Sequence, residues 1–233
     1  MSGDNDKSTN EKRDKKKDLV IQLTKEGIGN QASGKYDAAV DSYHKALQIA
    51  EELEDDEAKM VLKTRIGQVH LVCERHSESL QCFEESLILA NKLGDMEWIL
   101  IRLNHVASVY QAKGDFEKAV DHYKNAMAIS QALMDDGWQA IGYTNRGVAY
   151  QAWGKGELAI QDYKKALEIA ESLGDKEGIA LRLSLIGLAY DGQKQYDLSL
   201  NYLEKALKVA EESHLKAYTD ALPETIKEIK SRL

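Results

Sequence analysis

Residues 147–166 read GVAYQAWGKGELAIQDYKKA, and residues 107–126, forty positions earlier, read ASVYQAKGDFEKAVDHYKNA. The paired tyrosines Tyr110 and Tyr150 coincide, as do Gly114 and Gly154, Ala119 and Ala159, Tyr123 and Tyr163, and Ala126 and Ala166. Extending the same step in both directions aligns Gly27, Gly67, Ala107, Gly147 and Gly187. It also aligns Tyr43, Phe83, Tyr123, Tyr163 and Leu203, and then Ala46, Ser86, Ala126, Ala166 and Ala206. Five copies at a constant step, with no insertion or deletion, describe a repeat architecture.

Within a copy the apolar residues recur at steps of three and four. Leu100, Leu103, Ala107 and Tyr110 form one such stripe, which predicts a first helix ending near Gly114. A second amphipathic helix is predicted from about Phe116 to Leu133, through Ala119, Tyr123 and Ala126. Between copies, Leu93-Gly94-Asp95 and Leu173-Gly174-Asp175 combine a C-terminal glycine with an N-capping aspartate. Leu53-Glu54-Asp55 and Leu133-Met134-Asp135 lack the glycine, so those two helix ends are expected to be less sharply defined. A glycine inside a helix costs about 1 kcal/mol relative to alanine. Four copies accept that cost at one phase, which predicts a close helix crossing with the Tyr43/Tyr123/Tyr163 aromatic packed over the gap.

Composition agrees with an all-α chain. Of 233 residues, one is proline and two are phenylalanine, while 43% are hydrophobic and 30% charged. The 31 basic and 39 acidic residues give a net charge of −8 without a dominant basic block, which argues against a nucleic-acid ligand. Cys73 and Cys82 are too few for a disulfide framework and point to a reducing, cytoplasmic compartment, with the nucleus as the alternative. No secretory or membrane-spanning stretch is readable, so no membrane partner is expected. Residues 1–17 hold charges of both signs and no apolar residue after Met1, and read as a disordered tail. Residues 18–213 carry the five repeats. After Ser213 the period fades, and 214–233, with Ile226, Ile229 and Leu233 at helical spacing, is expected to be a capping helix with Pro223 at a kink or first turn.

These phases resemble the tetratricopeptide repeat (TPR) signature: Gly147-x2-Tyr150, Gly154, Ala159-x3-Tyr163-x2-Ala166, and the matching run from Ala107 to Ala126. The 40-residue step exceeds the common 34 and lacks the closing proline. It is similar to the long repeats of Pins/LGN-type adaptors, Rap-type regulators and, more loosely, kinesin light chains. The second copy departs most, with His70 and His76 at tyrosine phases and Glu74 at a glycine phase; Lys194 replaces the turn glycine of the fifth. The resemblance implies a right-handed superhelical solenoid of helix-turn-helix repeats that acts as a non-catalytic interaction scaffold.

No nucleotide-binding loop, zincin motif or nucleophile elbow is present, and neither an enzyme nor a cofactor is expected. His70-x2-Cys73-x2-His76, with Cys82 beyond, has metal-like ligand types. Its phases elsewhere hold packing aromatics, so no metal is assigned to it. At 100° per residue, a second face of each first helix lies about 130° from the packed stripe, and in a TPR-like array this face would line the groove. Its outer row is Ile21, Val61, Ile101, Ile141 and Leu181. The next is Lys25, Arg65, His105, Asn145 and Leu185, followed by Ile28, Gln68, Ser108, Val148 and Leu188, and an inner row of small residues from Ala32 to Gly192. The expected partner is an amphipathic protein segment, acidic near Lys25 and Arg65 and apolar toward Ile141, Leu181 and Leu188. The alternatives are packing of the outer row between first helices, self-assembly into a homo-oligomer, and a regulatory subunit of a larger complex. The carboxylate clamp of heat-shock-chaperone TPRs is missing, because Thr24, Ile28 and Ile101 stand where its Lys and Asn would be. Of the Arg and Asn that polarity adaptors carry, only Asn145 matches. Arg146, at an apolar phase, is expected to reach water or to pair with Asp162 or Glu168.

Overall fold

A computed structural model describes the backbone of residues 3–233 and the side chains from residue 10 onward. The described chain is all-α, with eleven helices and no strand. It forms two units. The first, through Lys113, contains α1 (Gly3–Ala32), α2 (Tyr36–Glu52), α3 (Asp56–Val72), α4 (His76–Leu93) and α5 (Met96–Ala112). The second, from Gly114, contains α6 (Phe116–Ala132), α7 (Asp136–Ala152), α8 (Gly156–Leu173), α9 (Lys176–Gly192), α10 (Tyr196–Glu212) and α11 (Lys216–Lys230). Within each unit every helix packs on the next in sequence.

The helical glycines do what their phase predicts. A Cβ on Gly147 would fall 2.5 Å from Tyr163 Cε1, one on Gly67 2.9 Å from Phe83 Cε1, and one on Gly187 2.7 Å from Leu203 Cγ. Tyr43, Phe83, Tyr163 and Leu203 are fully buried. Two of these rings are pinned as well as packed: Tyr43 Oη donates to Gln31 Oε1 at 3.0 Å, and Tyr163 Oη to Gln151 Oε1 at 2.9 Å, three periods apart.

The connections repeat every twenty residues. Gly34, Gly94, Gly114, Gly154 and Gly174 have positive φ, and so do Glu54, Glu74, Met134, Lys194 and His214 at the intervening steps. The turns at Glu54 and Met134, expected to be loosely defined, therefore keep the left-handed geometry without glycine. Their helices end one residue sooner, at Glu52 and Ala132, than those that reach Leu93 and Leu173. Asp55, Asp95, Asp135 and Asp175 accept the N–H of Ala58, Trp98, Trp138 and Gly178, so each of these first helices is capped by its own aspartate.

Both chain ends differ from the sequence expectation. The 1–17 segment, read as a disordered tail, is helical from Gly3, with Met1 and Ser2 outside the described residues. From Asn10 to Leu19 it is exposed and contributes nothing to the core; one ion pair, Lys16 to Glu52 at 2.7 Å, ties it to the end of α2. The segment holds five Lys and has no glycine or proline between Gly3 and Gly27, which lets the helix of the first repeat continue backwards. At the other end the period persists beyond Ser213. Leu222, Ile226 and Ile229 stand forty residues after Arg182, Ile186 and Ala189 and are buried in one cluster with Leu203 and Ala206 of α10. The phases that would face a further second helix have turned polar, with Asp220 and Lys227 exposed. Pro223 lies inside α11, with Arg232 paired to Asp191 and Lys230 to Glu204.

Candidate partner-binding face

The fifteen residues assigned to the second face of the first helices lie on α1, α3, α5, α7 and α9. None of them is buried. Ile21 is 53% exposed and Ile141 39%, whereas Val61, Ile101 and Leu181 are half-buried, so the outer row combines surface with packing. Lys25, Ile28 and Leu188 are exposed, while Arg65, Gln68, His105, Ser108, Asn145, Val148 and Leu185 are half-buried. In the inner row Val72 and Ala152 are exposed, and Ala32 and Gly192 lie at the ends of α1 and α9.

In the first unit the face is indented. A cleft of about 490 Å³ lies between α1 and α3, and Val20, Ile21, Val61 and Leu62 form its apolar wall. Lys25 lines it too, as do Asp55 and Glu57 from the start of α3. These two carboxylates were not legible by angular counting, since they sit at the N-cap and in the first turn of α3, outside the counted rows. They turn an end expected to be basic into one of mixed charge.

His105 is not a free cation. It stacks on Phe83, with centroids 4.9 Å apart and 9° between planes, and its Nε2 lies 3.4 Å from Gln68 Nε2. Burial, reinforced by the Arg102 charge, pushes its pKa down to about 4, so the imidazole is neutral at pH 7. Its role in this row is therefore packing, and the positive charge of the first unit's face comes from Lys25 and Arg65.

In the second unit Arg146 makes a bidentate pair with Asp162, Nε to Oδ2 and Nη2 to Oδ1 both at 2.7 Å. Of the two carboxylates the sequence offered, the structure selects Asp162. The guanidinium also lies 5.5 Å and 5.8 Å from the Tyr143 and Tyr150 ring centres. The Cys73 and Cys82 thiols are free, and among the described residues no three His, Cys, Asp or Glu side chains gather into a cation site. Burial pushes the Cys82 thiol up to about 11, so it is protonated at neutral pH. No described helix is long and apolar enough to cross a membrane.

Tetratricopeptide repeat models match residues 31–57, 59–132, 95–172 and 138–212, most of the chain. The chain belongs to the tetratricopeptide repeat family. No curated protein matches it in sequence. Among solved structures, this TPR chain is similar to the apo form of RapI, with a TM-score of 0.75 at 19% identity over 87% of this chain and 74% of RapI. It is similar to BtubC from P. vanneervenii, with a TM-score of 0.74 at 20% identity over 84% and 81% of the two chains. A Rap protein complexed with competence and sporulation factor gives 0.73 at 18% identity, over 88% of this chain and 57% of that one. At these identities the likeness establishes the TPR fold.

Proposed function

We propose that this TPR chain is a non-catalytic scaffold that binds a protein segment along the exposed face of its first helices. The observation that carries the reading is the state of that face: its apolar residues recur at fixed phases, yet none is buried in the core. Isolated exposed apolar residues are ordinary, whereas a row kept at one phase of the first helices supports a contact surface. In the first unit an amphipathic partner helix would seat apolar side chains between Ile21 and Val61, its acidic residues reaching Lys25 and its basic ones Glu57. In the second unit Ile141, Leu181 and Leu188 offer the apolar contacts. That a Rap protein of the same fold was crystallised with competence and sporulation factor supports ligand capture as a use of such an array. The two free thiols fit a reducing, cytoplasmic setting.

The test compares proteins captured by the intact chain with those captured by Ile21→Asp plus Val61→Asp. Ile88→Asp serves as a control, at an exposed position of α4 away from this face. The double variant should lose its partner at unchanged helicity while the control retains it. Equal recovery by all three forms would remove the first-unit face from consideration. Light scattering across a concentration series separates capture of a different protein from pairing of two copies.

A further inference from the structure

A second indentation lies between α2 and α4 over α3, and all three helices line it. Its volume is about 240 Å³, and the buried Leu47 and Ile66 form its apolar floor. His44, Lys63, His70, Glu78, Cys82 and Glu85 stand around it.

The repeat places the same location twice in the second unit, and there it is filled. Eighty residues on, between α6 and α8, the bidentate Arg146–Asp162 pair occupies it, with the guanidinium against Tyr143 and Tyr150. A hundred and twenty residues on, between α8 and α10, Tyr190 stacks on Tyr202 with centroids 5.6 Å apart. Lys164 Nζ donates to Tyr190 Oη at 3.2 Å and lies 5.7 Å and 6.0 Å from the two ring centres. These rings pack with Leu167 and Ile186, the counterparts of Leu47 and Ile66. Both filled sites thus share a tyrosine ring and a cation.

In the first unit the same phases hold His70 for Tyr190, Cys82 for Tyr202 and His44 for Lys164. Each exchange removes volume, and together they open the floor. The rim charge changes as well, since Glu78 and Glu85 stand where the second unit has Leu198 and Lys205. Glu85 pairs with Lys63 at 2.5 Å, while among the described residues Glu78 has no ion-pair partner. His70 Nδ1 is buried without a hydrogen-bond partner.

We propose that this cleft docks a partner segment presenting a tyrosine beside a lysine or arginine, which supplies from outside the ring-and-cation pair that the second unit builds from its own residues. The ring covers Leu47 and Ile66, and the cation meets Glu78. Burial lowers the His70 pKa, so the imidazole stays uncharged at neutral pH and does not repel the incoming cation. The site is separate from the first-helix face, and each stands or falls alone.

The probe is acetyl-Tyr-Lys-amide titrated into the full chain, with acetyl-Tyr-Glu-amide as control, read by NMR on the His44 and His70 imidazole protons. The Lys dipeptide should shift both residues saturably, with a dissociation constant on the order of millimolar, and the Glu dipeptide should bind about three- to fivefold more weakly. Glu78→Lys, an exposed change that leaves the fold intact, should abolish that preference. His70→Tyr with Cys82→Tyr should rebuild the second unit's filling and remove binding of both. Unmoved imidazole signals, equal binding of the two dipeptides, or full binding by the folded double-tyrosine variant would each overturn the proposal.

Discussion

Tyr163 lies directly over Gly147, close enough that a single methyl on that glycine would overlap the ring edge at 2.5 Å from Cε1. The ring cannot retreat easily, because it is fully buried and its hydroxyl is held by Gln151. Gly147→Leu should therefore destabilise the chain by roughly 1 to 3 kcal/mol through overpacking. Gly29 provides the opposite case in α1, where a methyl group would meet nothing within 4 Å. Gly29→Ala should stabilise by about 0.5 to 1 kcal/mol through helix propensity alone. Thermal melts of the two variants should move in opposite directions; a neutral Gly147→Leu would contradict the close crossing.

Five turns hold a residue with a Cβ in left-handed geometry, which costs about 1 to 2 kcal/mol at each. Met134, with φ 52° and 87% exposure, offers no packing in return. Met134→Gly should gain up to about 1 kcal/mol, the relief of strain being partly offset by the extra freedom of glycine in the unfolded chain. Gly174→Ala, at φ 69°, should lose about as much. Urea midpoints measure both, and a destabilised Met134→Gly would show that its side chain holds the turn by contacts.

Much of the architecture was legible because a 40-residue step is set by local geometry: two helices and two turns per copy, each turn at a fixed phase. Where the reading faltered, the cause was identity rather than position. Leu222, Ile226 and Ile229 continue the period, but their predecessors include Arg182 and Ala189, so the correspondence is one of burial and not of residue type. At Glu54 and Met134 the missing glycine hid a turn that neighbouring helices impose. For the candidate face, angular counting selected residues that are all accessible. It could not place Asp55 and Glu57, which enter the α1–α3 cleft from the N-cap and first turn of α3. Nor could it separate Arg65 from His105, since only burial beside the Arg102 charge makes the histidine neutral.

His105 makes stability depend on pH. Its folded pKa of about 4 lies below the ordinary histidine value near 6.5, so between these values the unfolded chain binds more protons and folding weakens as pH falls. The contribution is fully present above about pH 6.5, and some 2 to 3 kcal/mol of it should be gone by about pH 4.5. Carboxylates held low by lysines, such as Glu85 beside Lys63, weaken the fold over the acid range as well, but they do so in wild type and variant alike. Comparing wild type with His105→Phe by urea denaturation at pH 7 and 4.5 isolates the histidine. The variant should lose less stability on acidification, and identical pH profiles would mean that the imidazole is more hydrated than its stacking on Phe83 implies.

Arg102 is a poorly compensated buried charge in the first unit. Only 7% exposed, it donates from Nε to Ser86 Oγ at 3.1 Å, and among the described residues no carboxylate lies within 4.0 Å of it. Burial accordingly lowers its pKa. Forty residues earlier the same phase holds Leu62, buried without difficulty, and eighty residues later Arg182 has Asp175 at 3.8 Å. Ser86 would not be orphaned by losing the arginine, since its hydroxyl also donates to Met60 O at 2.9 Å and lies 2.8 Å from Thr64 Oγ1. Replacing an ill-compensated buried charge by an apolar residue is commonly neutral or stabilising. Arg102→Leu should leave the urea midpoint unchanged or raise stability by up to about 2 kcal/mol. Removing the neighbouring positive charge should also lift the His105 pKa, visible in an NMR titration of its imidazole. A loss of more than about 1 kcal/mol would mean that the guanidinium's contacts along α4 outweigh the cost of burying it.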